Sequence, residues 1–165
     1  MIELVLSLGS NIEPKKKYLS DTIGELAGYF KIIKVSSVYK TEPLYDTEQD
    51  SFFNICVLSE TDIRDPYKVL SIIQNIEKKI GRVRDIVRPK GPRIIDIDII
   101  FFDEIDIKEE KLVIPHKSAF ERKFVLKPLI EILPKASIYY KKYRLKNMIK
   151  SLKEQKIRKI GVLNT

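Results

Sequence analysis

The chain has one cysteine, one histidine and no apolar run approaching the ~20 residues that a bilayer-spanning helix requires. A lone cysteine cannot close an intrachain disulfide. Cys56 lies among Phe53, Ile55 and Val57, where a buried, inert thiol is expected rather than a nucleophile. The stretch from Met1 to Ser7 carries an acid and no basic residues ahead of its apolar positions, which argues against a secretory signal. Internal repeats, low-complexity linkers and a second composition regime are also lacking. These absences lead us to expect a cytoplasmic chain of one domain spanning residues 1–165, with no membrane partner; a monomer is the expected state, though the absences themselves do not bear on it.

With 165 residues and 44% hydrophobic content, the chain is large enough for a core that needs no disulfide or metal staple. The net charge of +8 invites a nucleic-acid reading, but its distribution opposes one. Residues 135–165 hold ten Lys or Arg and a single acid, Glu154, so residues 1–134 carry about −1. The excess belongs to a basic C-terminal segment of the same domain, readable as a solvated closing segment or as a surface for an anionic partner. No nucleic acid is expected at the candidate site.

Residues Ile2 to Leu8 alternate and read as a strand ending at the turn cluster Gly9, Ser10 and Asn11. Pro14 opens a helix with apolar positions Leu19, Ile23, Leu26 and Phe30. Lys31 to Thr41 suits a second strand, stopped at Glu42 and Pro43; Asp46 to Ser51 reads as a loop and Phe52 to Thr61 as a third strand. Asp65 as N-cap and Pro66 at the first helical position start a second helix, with stripe Val69, Ile73, Ile76 and Ile80 and a stop at Gly81. A strand from Ile94 to Phe102 follows. After the turn-rich Asp103 to Glu110 come a short strand at Leu112 to Ile114 and a helix from Ser118 to about Leu133. The order β-α-β-β-α-β is the split arrangement of an α+β, ferredoxin-like fold: an antiparallel sheet with both helices on one face, plus an extra C-terminal helix and short strands. If Asp96 and Asp98 face away from those helices, the site lies on the open face of the sheet, covered only by loops.

The richest segment runs from Arg82 to Asp98. Alternation puts Asp96 and Asp98 on one face of a strand and Ile95, Ile97 and Ile99 on the other. Two like charges at neighbouring same-face positions repel, and aspartate is depleted in strands, so something must compensate. A hard cation with oxygen ligands would; Mg²⁺ typically sits on one or two carboxylates and the phosphates of its substrate. Arg82, Arg84 and Arg93 then read as phosphate clamps, since the guanidinium fork matches phosphate oxygens at two points. Taken singly, each feature has a plain structural alternative: a solvated strand face, arginines complementing a helix end, a Gly-Pro loop marker. Together they indicate phosphoryl transfer. Charge and periodicity do not choose between transfer of the γ-phosphoryl group and transfer of a diphosphate.

Several further segments carry a resemblance: Leu8 to Asn11, Ser36 to Pro43, Phe53-Asn54, Gly81 to Arg84, Gly91 to Arg93 with Ile95 to Asp98, Pro115-His116, and Arg122 to Leu129. In order and spacing, over roughly residues 1 to 135, they resemble the 6-hydroxymethyl-7,8-dihydropterin pyrophosphokinase family. The resemblance implies a ferredoxin-like enzyme of folate biosynthesis that moves a diphosphate from ATP, its co-substrate, to the hydroxymethyl oxygen of the reduced pterin, releasing AMP. It implies two Mg²⁺ ions on Asp96 and Asp98, and a catalytic set of Arg82, Arg93, Asp96 and Asp98. ATP would be met by Gln74, Glu77, Arg82, Arg84, Arg88, Arg93, Ile99, His116 and Arg122. The pterin would be met by Gly9, Thr41, Pro43, Leu44, Phe52, Asn54, Asp96 and Phe124.

Bottom-up chemistry agrees with these implications. A flat, amide-like heterocycle wants two aromatic faces and a few placed polar groups, and the Asn54 amide offers donor and acceptor. Alternation groups Phe52 with Asn54 and Phe53 with Ile55, making Phe52 the ring partner. Core packing is the alternative for Phe52, Phe53 and Phe124, and a role-free loop position is the alternative for His116. Two departures from the family pattern stand out. Pro89-Lys90 replaces an aromatic before Gly91, and Lys117 replaces one after His116. The rival class is a basic RNA-binding module on the same fold, which stacks bases on exposed strand aromatics; here the central strand would offer aspartates that repel a phosphate backbone.

Overall fold

The structure, a computed structural model, describes residues 1–44, 47–84 and 86–164. Asp46, the first residue of the expected loop, lies outside the described residues. Strand β1 (Ile2–Ser10) leads into helix α1 (Lys15–Ala27), then β2 (Lys31–Val35), β3 (Tyr39–Thr41) and β4 (Phe52–Thr61). Helix α2 (Pro66–Ile80), β5 (Asp96–Phe102), and the small ribbon of β6 (Ile107–Glu109) and β7 (Leu112–Ile114) follow. A single 3₁₀ turn (Ala119–Glu121) precedes α3 (Lys123–Ile132), and α4 (Ile138–Lys142), α5 (Leu145–Ser151) and β8 (Ile157–Lys159) close the chain.

The caps of α2 explain its bounds. Asp65 accepts a hydrogen bond from the Tyr67 N–H at 2.9 Å, and Pro66 occupies the first turn, where a missing N–H goes unnoticed. Gly81 ends the helix at φ 113°, a left-handed conformation strained for any residue with a Cβ.

The main sheet runs β5–β1–β4–β3–β8, with β2 also paired to β4, and every pairing is antiparallel. One face buries Leu4, Leu6, Leu8, Ile55, Ile97 and Ile99 against Leu19, Ile23 and Leu26 of α1 and Val69, Ile73 and Ile76 of α2. On the opposite face Val5, Cys56, Leu58, Ile100 and Phe101 pack against Val125, Leu126 and Leu129 of α3, Tyr139 of α4 and Leu145 of α5. That face is therefore not left to loops, as the sequence suggested. Its apolar half is roofed by helices, and only the half carrying Asp96, Asp98, Gly9 and Asn54 opens outward.

Several elements differ from expectation: β1 continues through the turn expected at Gly9 and Ser10, β5 starts at Asp96 rather than Ile94, and β6 falls within the stretch expected to be turns. The strand expected over 31–41 is split, because the Ser36 hydroxyl accepts the Cys56 N–H at 2.9 Å and Glu131 accepts the Ser37 N–H at 2.9 Å. The helix expected from Ser118 begins at Lys123, after the 3₁₀ turn. The basic tail is built into the fold: β8 pairs Ile157 with Thr41 and Lys159 with Tyr39.

Candidate active site

Antiparallel register assembles the site. Gly9 lies opposite Asp96 on one side and Asn54 on the other, and Ser7 lies opposite Asp98 and Cys56. Asn54 in turn faces Tyr39, and Phe52 faces Thr41. Directly paired residues share a face, so three strands put two carboxylates, an amide and an aromatic ring on one surface. Phe53 goes to the helix side, where the Lys15 ammonium lies 4.9 Å from its ring.

This surface floors a cleft of about 620 Å³, open solvent at its mouth included. All eight residues expected at the pterin line it: Gly9, Thr41, Pro43, Leu44, Phe52, Asn54, Asp96 and Phe124. Asp98, Arg93 and Arg122 line it as well. Each of the two aromatic rings carries a guanidinium, Arg93 at 5.8 Å from the Phe52 centroid and Arg122 at 5.6 Å from that of Phe124. A Cβ built on Gly9 would sit 3.1 Å from Asn54 Oδ1 and 3.8 Å from Phe52 Cδ1. Glycine is thus what lets those two side chains close in. The Asn54 amide donates to Thr41 Oγ1 at 2.9 Å and to the Tyr39 carbonyl at 3.3 Å, so both its donors stay within the protein and its oxygen is the group on the Gly9 side.

Other expected residues lie outside that cleft. Arg82, Arg84 and Arg88 border a second hollow of about 740 Å³, open solvent included, within the arginine loop, and Arg93 lines both. Arg82 reaches Asp96 from there, Nη1 to Oδ1 at 2.7 Å, while Arg93 holds the other carboxylate oxygen at 3.2 Å. Glu77 is 4% exposed; it accepts from Arg82 and, at 2.8 Å, from the Ile97 N–H, fixing α2 to the start of β5. Ile99 turns its side chain into the helix-side core, so any ligand contact there falls to its backbone. Gln74 is half-buried on α2 and borders neither cavity. His116 brings Nε2 to 3.7 Å from Asp98 Oδ1.

Ser7 and Gln49 also line the cleft, outside the residues expected there from the sequence. Ser7 was recoverable, standing two residues from Gly9 on the same strand face. Gln49 was not, since its position depends on contacts distant in sequence: it accepts from Asn11 Nδ2 at 2.7 Å and donates to the Lys90 carbonyl at 3.0 Å. Asn11 also accepts the Arg93 N–H at 2.8 Å, which ties the β1–α1 turn to both loops beside the cleft.

Charge is distributed unevenly. Burial, and then the neighbouring Asp96, push the Asp98 carboxyl up to about 7, with Arg122 working the other way. Burial tends to lower Arg82, but Asp96 and Glu77 outweigh it and hold the guanidinium firmly charged. Burial and then Arg122 lower His116, which keeps it neutral at pH 7. Its Nδ1 accepts from the Ser118 N–H at 3.3 Å, so the remaining ring proton sits on Nε2, facing Asp98. The arrangement sets two carboxylates able to donate oxygens to a cation and two aromatic rings around one cleft, with a guanidinium beside each ring.

Residues 5–134 match the family model described as 7,8-dihydro-6-hydroxymethylpterin-pyrophosphokinase (HPPK). The chain belongs to this family. The HPPK chain is 40% identical over 136 residues to a 2-amino-4-hydroxy-6-hydroxymethyldihydropteridine pyrophosphokinase of Methylorubrum extorquens, covering 81% of this chain and 84% of that one. It is 44% identical over 137 residues to the bifunctional protein FolKE of Lactococcus lactis subsp. lactis, covering 82% of this chain and 38% of that protein. Among solved structures, wild-type HPPK-DHPS of Plasmodium falciparum superposes with a TM-score of 0.65 at 19% identity, over 96% of this chain and 48% of that one. At that identity the likeness speaks for the fold, an antiparallel sheet with helices. The chain spans less than half the length of the Lactococcus and Plasmodium proteins. The family match favours the enzyme and lends nothing to the RNA-binding alternative. No helix among the described residues is long and apolar enough to cross a membrane.

Proposed function

We propose that this chain transfers the terminal diphosphate of ATP to the hydroxymethyl oxygen of 6-hydroxymethyl-7,8-dihydropterin, giving AMP and the pterin diphosphate, as a step of folate biosynthesis. One observation carries the reading: Asp96, Asp98, Phe52 and Phe124 all line the same cleft. A ring held between the two aromatics has its substituent beside the carboxylates.

Asp96 and Asp98 suit Mg²⁺. They present oxygen donors, and the upward push on Asp98 marks a place where a cation relieves repulsion. Among the described residues no group of three or more His, Cys, Asp or Glu forms a metal cage. That fits an ion whose shell is completed by substrate phosphates and water, and we assign two such ions to the pair. When bound, the ions neutralise the triphosphate and favour the alkoxide of the attacking alcohol.

The chain's own residues do the positioning. Phe52 and Phe124 clamp the ring, Asn54 Oδ1 accepts from its N–H edge, and Gly9 permits close approach. Arg82, Arg93 and Arg122 face the phosphates, with Arg84, Arg88 and Lys90 on the loop that borders them. Glu77 acts behind them by holding Arg82. His116, neutral with its proton on Nε2, serves as a donor to the nucleotide rather than as a base. The strand order β5–β1–β4–β3, with α1 and α2 on one face, supports a ferredoxin-like assignment for a single domain of residues 1–165. We take that domain to work as a cytoplasmic monomer, on these two small molecules and with no nucleic acid or membrane partner. The test is incubation with ATP, Mg²⁺ and the pterin, followed by nucleotide analysis. Pterin-dependent AMP is expected; ADP, or no turnover, refutes the proposal.

A further inference from the structure

The segment that follows α5 lies outside the family-matched residues, yet it touches both walls of the pterin end of the cleft. On one wall, β8 extends the sheet beyond β3, pairing Ile157 with Thr41, Lys40 with Arg158 and Tyr39 with Lys159. Two more backbone bonds prolong the contact: Val38 N–H donates to the Gly161 carbonyl at 2.7 Å and Ile160 N–H to the Val38 carbonyl at 2.9 Å. Thr41, at the end of β3, is the residue that fixes the Asn54 amide and begins the cleft-lining stretch Thr41 to Leu44.

On the other wall the contact is a single side chain. Gln155 Oε1 accepts the Lys123 N–H at 2.8 Å, and its Nε2 donates to the Glu121 carbonyl at 2.9 Å. Lys123 is the first residue of α3, and its N–H is one of the donors a helix start leaves without an intrahelical partner. Arg122, the residue at the N-cap position, provides no side-chain cap. The cap comes instead from 32 residues downstream. The two bonds straddle Arg122, so one amide fixes the backbone on both sides of it. Arg122 and Phe124 project from this clamped segment into the cleft, the guanidinium carbon 5.6 Å from the ring centroid.

We infer that Gln155 is a positioning residue for the pterin end of the site, and that residues 155–161 strap the Thr41 wall to the Phe124 wall at a fixed separation. The inference rests on the function proposed above for its kinetic readout, but not for its structural one. A ring sandwiched between Phe52 and Phe124 is sensitive to the spacing of those walls, because stacking falls off within a fraction of an ångström beyond contact. Loosening this wall weakens pterin binding and frees Arg122 with it, while Asp96, Asp98, Arg82 and Arg93, held by β5, α2 and the arginine loop, keep their places.

The test uses the full chain with Gln155→Ala and Gln155→Glu, the latter keeping the acceptor for Lys123 and losing the donor to Glu121. For Gln155→Ala the KM for the pterin is expected to rise about fivefold with kcat within twofold, and Gln155→Glu should fall between it and the parent. A role confined to stability predicts the reverse: less active protein and a lower apparent kcat at unchanged KM. In parallel, amide hydrogen exchange over residues 121–125 should quicken at least tenfold in Gln155→Ala. An unchanged KM in both variants, or unchanged exchange over 121–125, overturns the inference. If the parent chain makes no AMP at all, the proposed function fails, while the exchange measurement still decides whether the strap exists.

Discussion

Replacing Asp98 by asparagine should make the metal-free protein more stable at high pH, and the size of the gain follows from the site. Holding a carboxyl at about 7 instead of its ordinary 3.8 corresponds to roughly 4 kcal/mol at full effect. The Asp98 side chain is 29% exposed, and solvent there screens part of the repulsion, so about 2 kcal/mol should survive. The sign follows from linkage. A carboxyl whose pKa is raised by folding favours the folded state below the unfolded pKa, and that contribution disappears as pH climbs through about 7. Urea titrations from pH 4 to pH 8 should therefore show parent and Asp98→Asn converging near pH 4. The variant should move ahead by about 2 kcal/mol at pH 8, equivalent to about 4–8 °C in Tm for a chain this long. Adding Mg²⁺ with ATP should restore the parent at pH 8 by mass action and do little for the variant. In the parent, apparent Mg²⁺ affinity should fall with decreasing pH below about 7, because a proton and the metal compete for the same oxygen. Parallel stability curves across this range, or metal binding indifferent to pH, would refute the reasoning.

Other perturbations separate the parts of the site. Asp96→Ala or Asp98→Ala should lower turnover by ~10³ or more in the AMP assay, as loss of a major electrostatic stabiliser does; near-normal rates would remove that residue from the metal site. Gly9→Ala places a methyl group 3.1 Å from Asn54 Oδ1 and should raise the pterin KM by about tenfold, with ATP affinity measured by calorimetry within twofold. Glu77→Gln keeps an acceptor for the Ile97 N–H but removes the charge that faces Arg82. Stability in urea should drop by about 1–3 kcal/mol and the KM for ATP should rise.

How much of this was legible depends on range. The α2 caps, Asp65 and Gly81, were local and came out at their positions. The alternation that groups Phe52 with Asn54 was local too, and so was the one that groups Asp96 with Asp98. The roof over half of the second face was readable in principle. Ile99 to Phe102 is apolar at four consecutive positions, the pattern of a strand buried on both sides. The break at Ser36 to Val38 was not readable, because its cause is Glu131, 94 residues from Ser37 along the chain. Gln155 carries no local signal at all. A glutamine in a lysine-rich tail looks solvated until the fold brings it to the start of α3.

The unequal treatment of the two aspartates is informative about how the site loads. Asp96 is gripped by Arg82 at 2.7 Å and Arg93 at 3.2 Å, whereas the Asp98 carboxylate has the neutral His116 ring 3.7 Å away. The same arginines that we assign to the phosphates therefore compensate Asp96 when no nucleotide is bound. On the function proposed above, loading the site amounts to an exchange of partners: the cation would take the carboxylates while the guanidiniums move to phosphate oxygens, whose two-point geometry they match. Asp96 and the two guanidiniums then keep a partner on either side of the exchange, which avoids the several kcal/mol that an unpaired buried charge costs, and Asp98 is the carboxylate that waits for the cation. On this argument Arg93→Lys should bind nucleotide more weakly than the retained charge suggests, since an ammonium gives up the two-point contact with phosphate and also the Nε bond to the Gly91 carbonyl. Equal ATP affinity in Arg93→Lys and the parent, measured by calorimetry in Mg²⁺, would show that charge alone suffices.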